Sequence, residues 1–275
     1  MDVRLVDTHC HLDFDNFEND REQVLNRAWE AGMERILLPG VDLASSRKAV
    51  RLAESHPKLF AAVGVHPNSA LTWERDTLAE LKSLAVHPKV VAVGEIGLDY
   101  YRHHAPHDAQ RRVLNRQLKL ALEMELPVIL HVRSVSETDQ ACMADMKEII
   151  RSWQMEVLQK SPSLRERIGV VHSFSGGLED ARQITELGFY LGITGPVTYK
   201  SAANLRKVVA GVNVSRLLIE TDAPFLAPHP HRGKRNEPAY VRFVAEKISE
   251  TRGQSIEEIA EATTENANHL FCWSK

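Results

Sequence analysis

Short apolar and β-branched runs recur along the chain at intervals of roughly 20 to 40 residues, each followed by a stretch with helical spacing of its apolar positions. Eight such runs are present, at residues 4–8, 35–39, 60–65, 90–95, 127–131, 169–172, 189–193 and 217–221. Several are apolar at nearly every position, the pattern of parallel strands covered on both faces rather than of strands with one wet face. Between them, 20–31 reads as a helix closed by Gly32 and 44–55 as a helix stopped before Pro57. The helix 108–125 carries Val113, Leu114, Leu118, Ala121 and Leu122 on one stripe. Helical periodicity also covers 137–160, longer than a crossover requires and followed by the turn Ser161-Pro162-Ser163. Two readings of it stand open: a projecting lid or partner surface, and a merely extended covering helix. Helices over 238–251 and 255–271 close the chain.

Eight alternating units can build an open doubly wound sheet or a closed (β/α)8 TIM barrel. The open sheet calls for a glycine-rich phosphate turn after its first strand, and a histidine pair stands there instead, so the barrel is expected. No linker or low-complexity stretch interrupts the chain, which reads as one domain over 1–275. In this barrel, active sites lie at the C-terminal ends of the strands, so a polar residue there means something different from one in mid-strand.

Composition narrows the setting. Of 275 residues, 43% are hydrophobic and 26% charged, the balance of an ordinary globular protein. No apolar run approaches the ~20 residues that span a bilayer, and the first residues, MDVRLVDTHCH, lack a signal peptide's apolar stretch. Cys10, Cys142 and Cys272 are odd in number and form no CxxC pair, so a cytoplasmic setting without disulfides or thiolate zinc is expected. The net charge of -3, from 34 Lys plus Arg against 37 Asp plus Glu, offers no broad basic footprint. Any phosphate recognition has to be local.

Thirteen histidines direct the search for chemistry. His9 and His11 end the first strand, and the two-residue side-chain period points both imidazoles to one face while Cys10 points away. Alone, such a pair is also met as hydrogen-bonded structural histidines. Its company decides. Glu95 closes VVAVGEIGLD, an apolar run where an unpaired carboxylate would be costly; His131 ends PVILHVR, His172 ends IGVVHSFSG, and Asp222 follows LLIET. Six donors at one end of a barrel point to bound metal. All are nitrogen or oxygen ligands, which admits Mg2+, Mn2+, Zn2+, Co2+ or Ni2+. Six exceed what one tetrahedral ion uses, so two cations about 3.5–4 Å apart, bridged by Glu95, are expected.

The chain also resembles the TatD-type metal-dependent deoxyribonucleases, within the wider amidohydrolase-like barrels. The motifs that carry the resemblance are DTHCHLDF (7–14), GVHP (64–67), VGEIGLDYY (93–101), PVILHVRS (127–134), VVHSFSGG (170–177), LGITGPVTYK (191–200), ETDAPFLAP (220–228) and GKRNEP (233–238). The resemblance implies two divalent metals on His9, His11, Glu95, His131, His172 and Asp222, and hydrolysis of phosphodiesters, with 3'-5' exonuclease action on DNA. Barrel relatives with a carboxylated lysine bridge would carry Lys where Glu95 stands. Segment 137–167 is longer than the family usually has, which leaves its role open.

On that reading Glu95 and Asp222 are the catalytic carboxylates. His9, His11 and Asp222 hold one ion, His131 and His172 the other, and Asp222 takes the proton of a water activated between them. His66, Arg133, Lys200, Lys234, Arg235 and Tyr100 are candidates for substrate contact. Arg133 shares a strand face with His131, and Tyr100 and Tyr101 offer rings on which bases can stack. Solvated surface charge and loop packing are the competing readings for each. Asn236 and Glu237 fit the fastening of the last loop, Glu220 the bracing of a ligand histidine, and His103, His104 and His107 an exposed loop. DNA is the expected partner, with no membrane, no obligate protein partner and a monomeric chain. A metal-dependent amide or ester hydrolase of small substrates would use the same centre, and a metal-bound scaffold would show no turnover.

Overall fold

The computed structural model describes residues 3–136 and 139–273. Eight parallel strands follow one another around one sheet in chain order: β1 (Leu5–Asp7), β2 (Met33–Pro39), β3 (Leu59–Val63), β4 (Val90–Asp99), β5 (Val128–Arg133), β6 (Gly169–Val171), β7 (Tyr190–Ile193) and β8 (Leu217–Ile219). Around them lie α1 (Arg21–Glu30), α2 (Leu43–Ser55), α3 (Thr77–Ala85), α4 (His107–Met124), α5 (Ala141–Lys160), α6 (Leu178–Glu186), α7 (Ala203–Gly211), α8 (Val241–Arg252) and α9 (Ile256–Phe271). This is the (β/α)8 barrel. No helix among the described residues is long and apolar enough to cross a membrane.

The seam between β8 and β1 closes just beyond the strands themselves. Thr8 donates its N–H to the Ile219 carbonyl at 3.3 Å, Asp222 to that of His9 at 2.8 Å, and His11 to that of Ala223 at 2.8 Å. Asp7, fully buried, accepts the Thr221 hydroxyl at 2.5 Å and the Thr221 N–H at 2.9 Å. Burial pushes the Asp7 carboxyl up to about 7, against the pull of those two bonds. Closing the barrel therefore fixes the backbones of His9, His11 and Asp222 in the same act.

Apolar residues sort into two clusters. One fills the layer between sheet and helices, and α5 contributes Cys142, Met146, Ile150, Trp153 and Val157 to it at helical spacing. That inward stripe makes α5 an extended covering helix. It begins at Ala141 rather than at 137; Glu137 and Thr138 lie outside the described residues. The second cluster joins one or more residues of every strand, among them Val6, Leu37, Ala62, Val91, Ile129, Val170, Tyr190 and Leu218, to Leu270, Phe271 and Trp273 at the end of the chain. Along the strands its members alternate with those of the first cluster, as Leu37 does with Ile36 and Leu38, so this cluster is the barrel interior, plugged from below by the end of α9.

The expected fourth strand ends at Glu95, but β4 continues to Asp99. Val93 pairs with Val128 and Ile96 with Leu130, so three steps on β4 face two on β5. A bulge at Gly94 and Glu95 absorbs the extra residue. Bulges of this kind re-aim a side chain beside a site.

Candidate metal centre

Glu95 stands at the middle of the barrel mouth, with its two oxygens turned to different partners. Oε2 lies 3.4 Å from His9 Nε2 and 3.8 Å from His11 Nε2, whereas Oε1 lies 2.8 Å from His131 Nδ1 and 3.8 Å from His172 Nε2. Asp222 Oδ1 reaches toward the same nitrogens, 3.7 Å from His9, 3.6 Å from His11 and 3.7 Å from His172. The rings of His9 and His172 stack with centroids 3.5 Å apart. Four strand ends and the β8 loop thus bring all six sequence-predicted donors together. His9, His11 and Glu95 form one set able to hold an ion, Glu95, His131 and His172 a second, and His9, His172 and Asp222 a third.

Electrostatics agree with a cation site. Burial alone would raise the pKa of Glu95, yet His66, His9, His131 and His172 around it hold it well below the usual range. Burial likewise opposes the ionised form of Asp222, and the His11 hydrogen bond with the charges of His172 and His9 outweighs it. For His172, burial lowers and the neighbouring Glu220 raises, leaving it up at about 10; His131 is raised by Asp99 and Glu95 against the same burial. No lysine or arginine pairs with Glu95 or Asp222 among the described residues. Two ionised carboxylates, Glu95 buried and Asp222 partly so, ringed by imidazoles, fit divalent cations, and binding to such a set releases protons.

Further residues hold the donors in place. Glu220, fully buried, lies 2.8 Å from His172 Nδ1, though the N–H is not aimed along the contact, and accepts the Ser173 N–H at 2.6 Å. Gly192 makes room for it, since a Cβ there would stand 2.3 Å from Glu220 Oε1. Asp99, which the sequence reading left unassigned, holds the outer nitrogen of His131 at 3.3 Å and accepts Asn68 Nδ2 at 3.0 Å. His66 is different. Its Nδ1 accepts the Asn68 N–H at 3.0 Å, which puts the proton on Nε2, 3.6 Å from Glu95 Oε1. Burial drives its pKa down to about 3. Although His66, Asp99 and His131 lie close enough to share an ion, His66 is a neutral donor facing the site.

The donors open into a cleft of 680 Å³ lined in part by His66, Arg133, Arg102, His104, Phe14 and Phe225. His66 and Arg133 are among the lining residues, and His104, exposed as its loop position suggested, lines the cleft as well. Tyr100 does not: it is 3% exposed, its hydroxyl donates to Asp145 at 2.6 Å, and its ring stacks on His107. Its burial removes it as a base-stacking surface. Arg235 is turned away as well, bound to Asp20 at 2.6 and 2.8 Å and to Glu237 at 3.0 Å. Lys200 and Lys234 are exposed outside the cleft lining. Asn236 does fasten the last loop, donating Nδ2 to the carbonyls of Thr221 and Phe225.

A (β/α)8 barrel whose mouth gathers four histidines and two carboxylates within ligating distance of one another has the architecture of the metal-dependent hydrolases. The signature of the TatD related DNase family matches residues 6–272, and the chain belongs to that family. It is 42% identical over 267 residues to the uncharacterized metal-dependent hydrolase YabD of Bacillus subtilis, covering 97% of this chain and 98% of that protein. It is 35% identical to the 3'-5' ssDNA/RNA exonuclease TatD of Citrobacter rodentium, over 97% of each chain. The crystal structure of YjjV, a TatD homolog from Escherichia coli K12, superimposes with a TM-score of 0.88 at 35% identity, over 99% of each chain.

Proposed function

We propose that this protein hydrolyses the phosphodiester bonds of nucleic acid, removing nucleotides from the 3' end of single-stranded DNA or RNA. In this reading two divalent cations are held by His9, His11, Glu95, His131, His172 and Asp222. The observation that carries it is the division of Glu95, whose Oε2 faces the His9 and His11 nitrogens while Oε1 faces those of His131 and His172. One carboxylate between two nitrogen sets is the geometry of a shared ligand.

When bound, divalent ions at these donors bring the pKa of a water toward neutrality and offset the charge of a phosphate. The chain supplies the rest. Asp222, held ionised at the rim of the mouth, accepts the proton of the attacking water. His66, neutral with its proton on Nε2, donates to a phosphate oxygen on the β3 side. Arg133, lining the cleft beyond His131, grips a flanking phosphate. Arg102 and Arg133 supply at the cleft the local cationic groups that the surface as a whole, at -3, does not provide. The same reading has one catalytic domain over 1–275, working as a monomer in the cytoplasm with no obligate protein partner.

The deciding experiment reconstitutes the metal-free protein with Mg2+, Mn2+, Zn2+, Co2+ or Ni2+ and supplies end-labelled single- and double-stranded DNA and RNA. Ladders shortening from the 3' end of single strands are expected. Hydrolysis of small amides or esters, with every oligonucleotide left intact under every metal, overturns the reading.

A further inference from the structure

The cleft has two unlike walls. Arg102 and His104, after β4, and Arg133, at the end of β5, bring basic side chains to one of them. Phe14, after β1, and Phe225, after β8, make the other aromatic. Phe14 lies flat on His11, with ring centroids 4.5 Å apart at 20°, and meets Phe225 edge-on at 6.2 Å and 74°. Phe225 in turn lies 6.4 Å from the His11 ring. The aromatic wall therefore begins at a metal-site histidine and runs outward.

Phe225 is 51% exposed, yet its backbone is tightly held. Its N–H donates to the Asp222 carbonyl at 2.9 Å, and its own carbonyl accepts Asn236 Nδ2 at 2.7 Å. Leu226, next in the chain, sits in the left-handed region at φ 54, a conformation that a non-glycine residue adopts only under tertiary constraint. The loop lies so close to Gly195 that a Cβ there would stand 2.0 Å from the Leu226 carbonyl oxygen. A large ring displayed to water on a fixed backbone exposes apolar area that the fold does not use. It also loses little freedom when a planar partner covers it, and both are properties of a stacking surface.

We propose that Phe225, backed by Phe14, is the platform on which the base of the nucleotide at the cleavage point stacks, while Arg102 and Arg133 hold the backbone on the opposite wall. The proposal deepens the phosphodiesterase reading and rests on it. Other aromatic residues near the mouth are occupied: Tyr100 is buried, and the guanidinium of Arg133 lies 4.1 Å from the ring centroid of Tyr101. Stacking reads a base by its face rather than its edge, so the platform accepts any base on DNA or RNA. A base within a duplex has both faces covered by its neighbours, so the platform favours single strands and frayed ends.

The test is a binding measurement on the metal-loaded protein. The ligands are oligonucleotides whose terminal linkage is a non-hydrolysable methylenephosphonate, with 2-aminopurine at the 3' or the 5' end. Stacking quenches the 3' label in the wild type. Phe225→Ala and Phe225→Leu are expected to abolish the quenching and weaken binding by roughly tenfold to a hundredfold, while Phe225→Trp restores both. An oligonucleotide ending in an abasic site should bind wild type and F225A equally. Arg133→Gln should weaken normal and abasic ligands alike. Quenching that survives in F225A, an equal loss on the abasic ligand, or no oligonucleotide binding by the wild type overturns the platform. Because the linkage is never cut, the result is independent of turnover. A wild type that stacks the base but cleaves no ordinary oligonucleotide with any metal keeps the platform and sinks the phosphodiesterase reading, whereas quenching confined to the 5' label keeps it and reverses the polarity.

Discussion

Ile129, Val170 and Leu218 point into the lower barrel and pack with Phe271 and Trp273; two residues further along the same chain segments stand His131, His172 and Glu220. The two-residue period sends both sets toward the axis, and only depth separates them. Below, apolar side chains exclude water and the end of α9 closes the floor. Above, side chains of the same orientation are ionisable groups gathered round the mouth, where Glu95 and Asp222 have no lysine or arginine partner among the described residues. Close-packed apolar burial favours the folded state, whereas buried charge opposes it unless paired or bound to metal. The lower interior is therefore where this barrel gains stability, and the mouth is where stability is exchanged for chemistry.

The strongest way to break that contrast is at Glu95. Glu95→Gln and Asp222→Asn should lower turnover by on the order of a thousandfold while the circular dichroism spectrum stays native. Saturating divalent ions should raise the melting temperature of the wild type, because only the folded state assembles the site, and raise that of E95Q less. Near-normal turnover in a folded, metal-loaded E95Q removes Glu95 from the centre. The mirror experiment is Phe271→Ala, which empties a side chain of 1% exposure from the floor. A loss of roughly 3–5 kcal/mol in urea unfolding is expected, with turnover per folded molecule nearly unchanged below the transition. If F271A instead abolishes activity while sparing stability, the two depths are not independent.

What the sequence made legible follows the same division. Glu95, His131 and His172 are each a lone polar residue in or at the end of an apolar run, and His9, His11 and Asp222 fall within a few residues of one, a signal that survives without coordinates because a buried His or carboxylate needs a partner. The eight strands were legible for the same reason, and so were helices with a clear stripe, such as α4. Asp99 was missed because β4 was expected to stop at Glu95. A bulge leaves no mark in hydrophobic periodicity, and it carries the strand four residues further, to a carboxylate that reads locally as a loop residue. The same shift confuses the tyrosines, since which of Tyr100 and Tyr101 faces inward depends on a register that the pattern cannot phase. Phe14 and Phe225 drew no assignment from the sequence, because their place at the mouth depends on loops that return to it from opposite ends of the chain.

Glu220 sharpens the boundary between the two regions, because it belongs to the mouth but touches only protein. Glu220→Gln keeps the volume and removes the charge beside His172 Nδ1. Turnover is expected to fall about tenfold to a hundredfold, together with the apparent affinity for metal measured by competition with a chelator. A purely structural role would shift the melting temperature and leave metal affinity alone.

The smallest effect is expected outside the barrel axis, where the mouth is fastened to its flank. Arg27 donates to Glu237 at 2.8 and 2.9 Å, and Arg235 bridges Glu237 and Asp20, so two guanidiniums and two carboxylates alternate between α1 and the segment that precedes α8. Burial alone would raise the Glu237 pKa, but Arg27 and then Arg235 hold it below its ordinary 4.5; the Arg235 hydrogen bond lowers Asp20 from 3.8. A carboxylate whose folded pKa lies below its unfolded one contributes its full stabilisation above the unfolded value and loses it as pH falls through the folded value. Half-exposed partners screen such pairs, so the contribution is about 1 kcal/mol. Urea unfolding of the wild type should therefore show this increment shrinking as pH falls below about 4.5, and Glu237→Gln should start lower at neutral pH and decline less with acid. F271A, which touches none of these charges, should keep the wild-type slope. If E237Q instead retains the full acid dependence, the network at the rim contributes nothing, and the titrating groups that matter lie in the mouth itself.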